Sequence, residues 1–112
     1  MSQESDFLIV TTPSIEGYRI REVLGLVTGL TARTRGVGGK FVAGLQSLVG
    51  GEVSAFTSEL EKARGEALKR VTARARGRGG NAIVSLDLET TEVFEGTVLI
   101  SVTGTAVVVE KL

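Results

Sequence analysis

The sequence predicts an α+β domain, in which an antiparallel sheet carries one long and one short helix on one face, in the order β-β-α-α-β-β. Three observations lead to this class. Residues 54–77 repeat apolar side chains at helical spacing, several segments rich in valine, leucine and isoleucine have strand character, and glycine clusters separate the segments. With 112 residues the chain is expected to form a single domain, residues 1–112, with residues 1–6 as a flexible tail.

The start of the chain predicts two strands and their connection. Residues 7–11 form a short apolar run with strand character. Pro13, the only proline, fixes its own φ and favours extended geometry in the residue before it. We therefore expect Pro13 and Gly17 to shape the connection, and Tyr18 to open a long second strand over residues 18–32.

Glycines punctuate the region that follows. Gly25 and Gly29, inside the second strand, are expected at bulges or bends. Residues 33–40, "RTRGVGGK", predict a basic loop, and residues 41–51, "FVAGLQSLVGG", predict the short helix.

The long helix over residues 54–77 is the strongest element of the pattern. Its apolar positions recur every three or four residues: Phe56, Leu60, Ala63, Ala67, Val71 and Ala75. Arginines near its end suit the negative end of the helix dipole, and Gly77–Gly80 end it. Two strands follow, residues 81–93 and 97–110, with a hairpin between them at residues 94–96.

The last strand predicts self-association, because both of its faces are apolar at their ends. One face carries Val98, Ile100, Val102, Ala106 and Val108, and the other carries Leu99, Ser101, Thr103, Thr105, Val107 and Val109. A single helical layer covers one side of a sheet, so a second copy of the chain is expected to cover the rest. Ordinary exposed valine is the alternative.

Arg64 is the one charged residue inside the apolar stripe of the long helix, where it falls between Val71 and Ala75 on a helical wheel. Two interpretations stand side by side. Arg64 either forms a partly buried pair with a carboxylate, within or between chains, or packs its stem and extends its head into water.

Composition excludes several classes of site. The chain has no cysteine and no histidine, which excludes disulfides, cysteine nucleophiles and histidine-based catalysis. Its formal net charge is zero, so we expect no general affinity for nucleic acid or membranes. The polar, acidic start of the chain and its short apolar run match neither a signal peptide nor a membrane span, so we expect a cytoplasmic location. The segment around Gly36–Lys40 lacks the spacing of a phosphate-binding loop. No catalytic residue is identified.

The chain resembles the YbjQ-like family, whose label is heavy-metal-binding domain. The resemblance is carried by "TTPSIEGYRI", "GLVTG", "LVGGE", "SELEKAR", "GGNAIV" and "SVTGTAV", which together span about residues 10 to 108. It implies a YbjQ/dodecin-like α+β fold and a homo-oligomer, a pentameric ring. Positions that match the family motifs are the expected ligand or interface residues: Glu16, Tyr18, Glu59, Arg64, Asn81 and Thr105.

The favoured function is a non-enzymatic homo-oligomeric domain of unknown physiological role that binds small ligands or ions at subunit interfaces. The alternative, implied by the family label, is a heavy-metal-binding protein that uses oxygen ligands. Its metal candidates are Glu16, Asp87 and Glu89, although soft metals prefer the thiolate and imidazole groups that this chain lacks. A third hypothesis is an enzyme whose site is shared between chains and involves Tyr18, Glu59 and Arg64.

Overall fold

The computed structural model describes residues 7–34, 54–94 and 97–112. Within these ranges, the side chains of residues 34, 54–57 and 93–94 are not described. The elements are β1 (Leu8–Ile9), β2 (Tyr18–Thr34), α1 (Ser54–Gly77), β3 (Ala82–Phe94) and β4 (Thr97–Lys111). The expected tail at residues 1–6, the short helix at 41–51 and the tip of the hairpin lie outside the described residues. In the part of the chain that the structure describes, no helix is long and apolar enough to cross a membrane.

The sheet is mixed, which corrects the prediction of a purely antiparallel sheet. Its strand order is β1-β3-β4-β2. β4 pairs antiparallel with both β2 and β3, whereas Leu8 and Ile9 of β1 lie parallel to Ala82 and Ile83 of β3. The residue pattern of a two-residue strand carries no information on its direction, so the sequence could not reveal this pairing.

α1 packs on one face of the sheet through a row of small side chains. Ala63, Ala67, Val71 and Ala75 are fully buried at intervals of four residues, as the helical repeat predicts. They lie against core residues of the central strands, among them Ile100 and Val102. Small residues in this row allow the helix backbone to approach the sheet closely.

Gly25 and Gly29 serve different purposes, and only one of them matches its prediction. Gly25 lies at a register shift between β2 and β4 and has a φ of 110°. Gly29 lies in regular pairing with Val102, so the expected bulge at this residue is wrong. A Cβ atom there would lie 2.4 Å from the Ala67 carbonyl oxygen and 2.8 Å from the Val71 nitrogen. Gly29 is therefore required by contact with α1.

The predicted glycine stop of the helix is confirmed and has the geometry of a Schellman motif. Gly80 donates its N–H to the Ala75 carbonyl oxygen at 2.9 Å, and Gly79 donates to the Arg76 carbonyl oxygen at 2.9 Å. Gly79 adopts a φ of 90°, which glycine tolerates without a steric penalty.

A second, smaller core lies on the opposite face of the sheet, which we call the far face. Val107 and Val109 are buried there, at 0% and 6% exposure. The residues that cover them belong to the same chain, in the segment that holds β1 and the connection to β2: Leu8, Val10, Ile15 and Tyr18. The prediction that a second copy of the chain covers the end of β4 is therefore wrong at Val107 and Val109.

A bulge in β3 marks where this cover ends. The register of β3 and β4 shifts between Val84 and Asp87. Ser85 donates its N–H to the Thr12 carbonyl oxygen at 2.9 Å, and it adopts a φ of 55°, which is uncommon for a residue with a side chain. Beyond the bulge, the described residues place no element over the far face.

Candidate functional site

A network of polar side chains joins β2 to α1. Thr31 is a buried polar residue of the described core, at 4% exposure, and its hydroxyl donates to Glu66 Oε1 at 2.9 Å. Arg33 donates to both of these residues, to the Thr31 hydroxyl at 3.2 Å and to Glu66 Oε1 at 3.2 Å. Glu59 lies 3.6 Å from Arg33 Nε, and Arg70 lies 3.7 Å from Glu66. We call these five residues the seam network.

The seam network stabilises the charged form of Glu66. The hydrogen bond from Thr31 and, second, the hydrogen bond and charge of Arg33 hold the pKa of the Glu66 carboxyl below its ordinary value. The carboxylate is therefore ionised at neutral pH and is satisfied by neighbours of its own chain. Groups that neutralise each other in this way join β2 to α1 within one chain and stabilise the fold.

The open edge of β2 is bound by two arginines of α1, Arg70 and Arg74, and by Arg78, which follows the end of the helix by one residue. Arg70 donates to the Leu30 carbonyl oxygen, Arg74 to the Thr28 carbonyl oxygen at 2.8 Å, and Arg78 to that of Leu26 at 2.8 Å. We call Arg70, Arg74 and Arg78 the arginine row. Because they stand four residues apart, they follow one side of the helix at intervals of about 6 Å. The row occupies backbone acceptors that an exposed edge strand otherwise offers to another strand.

The far face of β2 carries an exposed apolar stripe, which we define as Ile20, Val23, Leu26 and Leu30. Their exposed fractions are 37%, 64%, 65% and 46%. They pair across the ladder with β4 residues of the same face, from Val109 opposite Ile20 to Ser101 opposite Leu30. Unlike Val107 and Val109, the stripe residues have large apolar area in contact with solvent.

The remaining far face changes character from one strand to the next. Next to the stripe, β4 presents half-buried hydroxyl side chains at Ser101, Thr103 and Thr105. Beyond them, β3 presents Asp87, opposite Thr103, and Glu89, opposite Ser101. The uncovered surface therefore runs from apolar through hydroxyl to acidic.

Four of the six predicted site residues lie at three separate places. Glu16 and Tyr18 belong to the turn that opens β2, where Tyr18 donates its N–H to the Ile15 carbonyl oxygen at 3.0 Å and its ring packs on the second core. Thr105 lies on the far face beside Leu26. Glu59 lies in the seam network.

Asn81 has a specific structural role. Its side chain donates to the Val109 carbonyl oxygen at 2.9 Å and accepts from the Val109 N–H at 2.8 Å. The amide group thus copies a backbone pairing and extends the β3–β4 ladder by one residue at its end.

Arg64 is exposed, and it forms no hydrogen bond or ion pair with any residue that the structure describes. Within one protomer it matches the interpretation in which the head reaches water. The structure of one chain leaves the pairing between chains as a prediction.

The metal candidates do not converge within a protomer. Glu16 lies at the end of the sheet where Tyr18 pairs with Lys111, whereas Asp87 pairs with Thr103, eight residues away along β4. This separation is about 25 Å at the rise of a strand. Over the described ranges, no three carboxylates lie close enough together to hold a metal ion. The residues therefore do not fit the soft metals that the family label implies.

Most of the seam network and the contacts of the arginine row were not predicted from the sequence. Arg33 was expected in a loop, but it lies in β2 and reaches α1. Two signals were present. Thr31 and Arg33 continue the alternation of Val27 and Gly29 toward the helix, and the arginine row repeats at the four-residue spacing of one helical face.

Comparison with known proteins agrees with the resemblance found in the sequence. A family model described as "Putative heavy-metal-binding" matches residues 7–110. A UPF0145 protein of Sulfurisphaera tokodaii is 43% identical over 109 residues, which cover 97% of this chain and 96% of the relative. A UPF0145 protein of Streptomyces coelicolor is 44% identical over 104 residues, with 93% and 98% covered.

A solved structure supports the fold alone. A crystal structure of a protein of unknown function from Pediococcus pentosaceus aligns with a TM-score of 0.60 at 17% identity, covering 93% of this chain and 98% of that one. The full-length match of the family model and the identity to the two relatives establish the family: the chain belongs to the YbjQ-like UPF0145 proteins.

Proposed function

We propose that the protein is a non-enzymatic domain that works as a homo-oligomer, in which the apolar stripe of β2 is covered by a neighbouring copy. The stripe is the observation that carries this proposal. Ile20, Val23, Leu26 and Leu30 follow each other along one face of one strand, over about 30 Å. Exposed apolar patches of this kind in soluble proteins mark interaction surfaces.

The free energy at stake is large enough for a stable assembly. Complete burial of one Val, Leu or Ile side chain contributes about 1.5–3 kcal/mol relative to leaving it exposed. Four side chains that are about half exposed therefore contribute on the order of 4 kcal/mol for each stripe that is covered. A closed ring repeats this contribution at every subunit boundary.

Charge supports a head-to-tail arrangement. The arginine row lies along the β2 edge of the sheet, and Arg74 and Arg78 have no carboxylate partner among the described residues. The opposite side of the far face carries Asp87 and Glu89 at intervals of about 6.7 Å, close to the 6 Å repeat of the row. Patches of opposite charge on two sides of one protomer suit a heterologous contact, which closes into rings.

The family resemblance supports a pentamer as the closed form, with small ligands or ions bound at the subunit boundaries. Support for a non-enzymatic role comes from the seam network. The carboxylate of Glu66, whose pKa is lowered, accepts hydrogen bonds from Thr31 and Arg33 of its own chain. Thr105 and Arg64 remain proposed boundary residues, because both are at least partly exposed.

The subunit number tests the proposal directly. Native mass spectrometry and light scattering at micromolar concentration are expected to show one closed oligomer for the wild-type chain. The double variant Leu26→Gln/Leu30→Gln is expected to shift it to smaller species, because it makes the stripe polar without touching the core. Leu112→Gln is the matched control, since Leu112 is 82% exposed and lies off the stripe.

Two outcomes oppose the proposal. A wild-type chain that stays monomeric removes the assembly itself. An assembled chain whose mass is unaffected by the double variant shows that the stripe is not the contact.

A further inference from the structure

A second open surface lies at the other edge of the molecule, between β1 and the outer side of α1. It is a groove of about 520 Å³, within the range of small-molecule sites. The residues that line it include Phe7, Ile9, Gly65, Leu68, Lys69 and Arg76. β1 and β2 form opposite edges of the sheet, so this groove is separate from the apolar stripe.

The groove has an apolar floor and a basic border. Phe7, Ile9 and Leu68 supply the apolar surface, and Lys69 and Arg76 supply two positive charges. The Arg76 guanidinium lies over the Phe7 ring at 5.0 Å from its centroid. No carboxylate lines the groove in the described part of the chain, and Lys69 has no ion-pair partner there. A ligand that complements this surface has an apolar body and a negative end.

Gly65 gives an independent indication of an occupant. It lies in the middle of α1, where glycine is unfavourable relative to alanine. A Cβ atom at residue 65 would have no atom of the described protein within 4 Å. The protomer therefore does not need a glycine there. An elongated ligand in the groove, by contrast, can approach the helix backbone closely at a residue that has no side chain.

The shape of the groove favours a linear ligand. The lining residues of α1 run from Gly65 to Arg76, which is about 17 Å along the helix axis. They fall on one side of the helix, so the groove is elongated and has cations in its middle and at one end. We propose that the groove binds a single-chain carboxylate amphiphile, a free fatty acid, with its hydrocarbon chain along Phe7 and Leu68 and its carboxylate at Lys69 or Arg76.

Titration calorimetry with decanoate and dodecanoate, below their micelle concentrations, tests the proposal. We expect saturable binding of one molecule per chain, and affinity that rises by roughly fourfold per added methylene. Decyltrimethylammonium has an apolar chain one carbon longer than that of decanoate and the opposite charge, and it is expected to bind at least about tenfold more weakly.

Variants assign the binding to the groove. Gly65→Phe fills the groove, and Lys69→Gln/Arg76→Gln removes its charges; each is expected to weaken decanoate binding at least about tenfold. Arg74→Gln is the control, because Arg74 contacts β2 and lies outside the groove, and it is expected to bind as the wild type does. Circular dichroism verifies that each variant is folded.

The proposal is overturned if decanoate shows no saturable heat, if the cationic analogue binds equally well, or if both groove variants bind as the wild type does. It also fails if Gly65→Phe changes the subunit number, because the groove is then a contact between copies. None of these results depends on the stripe of β2, so the fatty-acid site and the assembly can fail separately.

Discussion

Gly29 of β2 and Ala67 of α1 lie so close that a Cβ atom on residue 29 would be 2.4 Å from the Ala67 carbonyl oxygen. Backbone meets backbone here, so no side chain can rotate away to make room. The contact fixes how closely the helix sits on the sheet. It also places Thr31, two residues further along the same face of β2, within hydrogen-bond distance of Glu66.

Gly29→Ala is therefore expected to destabilise the fold strongly. Overpacking a core typically costs about 1–3 kcal/mol, and a contact with helix backbone puts this site at the upper end. Gly65→Ala is the matched control on the opposite side of the same helix. It is expected to stabilise by up to about 1 kcal/mol, because it improves helix propensity and meets no neighbouring atom. Urea unfolding of both variants measures the difference; equal stabilities would contradict the close approach.

The seam network predicts a specific acid dependence. Because the folded pKa of Glu66 is lowered, its ionised form contributes stability that is fully present above the ordinary value of 4.5 and is lost as pH falls through the lowered pKa. The melting-temperature difference between wild type and Glu66→Gln is expected to be largest near neutral pH and to shrink below pH 4.5.

Thr31→Val separates the hydrogen bond from the packing at this site. It keeps the shape of the buried residue and removes the donor, at an expected cost of roughly 1 kcal/mol. Glu61→Gln is the control on the same helix. Glu61 is exposed and forms no ion pair with a described residue, so the change is expected to be under about 0.5 kcal/mol. If the melting-temperature difference between wild type and Glu66→Gln stays constant from neutral to acid pH, the expected contribution of ionised Glu66 to stability is refuted.

The elements of the fold could be predicted from local pattern, whereas their contacts could not. The bounds of α1 follow from apolar residues every three or four positions and from the glycines that end it. The start of β2 at Tyr18 follows from Pro13 and Gly17. By contrast, a glycine inside a strand looks the same whether it serves a bulge, as at Gly25, or a helix contact, as at Gly29.

The surface was misjudged for the same reason. Val107 and Val109 looked exposed because the residues that cover them, such as Val10 and Tyr18, lie about 90 residues earlier in the chain. The parallel pairing of β1 is equally remote in sequence. Among the site residues, Glu59 was found through a motif, but its partner Arg33 was not, since the end of β2 was placed one residue too early to include it.

The arginine row predicts how the open edge of β2 behaves when it is uncovered. Arg74→Met/Arg78→Met removes the donors to the carbonyl oxygens of Thr28 and Leu26. Because unpaired strand edges recruit other strands, this variant is expected to aggregate faster on mild heating. Light scattering and thioflavin fluorescence follow the reaction.

The matched control for that experiment is Arg21→Met/Lys69→Met. Both residues are exposed and form no hydrogen bond with described residues, so the net charge changes equally and the edge stays covered. If both double variants aggregate at the same rate, the cause is the lost charge and the row does not protect the edge.

The side-chain hydrogen bonds of Asn81 can be tested with two variants, one of which regains a donor when it is protonated. Its amide donates to the Val109 carbonyl oxygen and accepts from the Val109 N–H. Asn81→Ala loses both bonds and is expected to cost about 1–2 kcal/mol. Asn81→Asp keeps the acceptor but, when ionised, places a carboxylate oxygen against the Val109 carbonyl oxygen. The aspartate variant should therefore be no more stable than the alanine variant at neutral pH.

Protonation restores a donor to the aspartate. Because the ionised form is destabilised in the folded state, the deficit relative to wild type should shrink as pH falls toward the ordinary aspartate pKa of about 4 and be smallest below it. The alanine variant carries no titrating group at residue 81, and its deficit should stay constant over the same range. Thermal unfolding of the three proteins across this pH range measures both trends. Parallel curves for the two variants would mean that the donor half of the Asn81 contact contributes nothing to the end of the sheet.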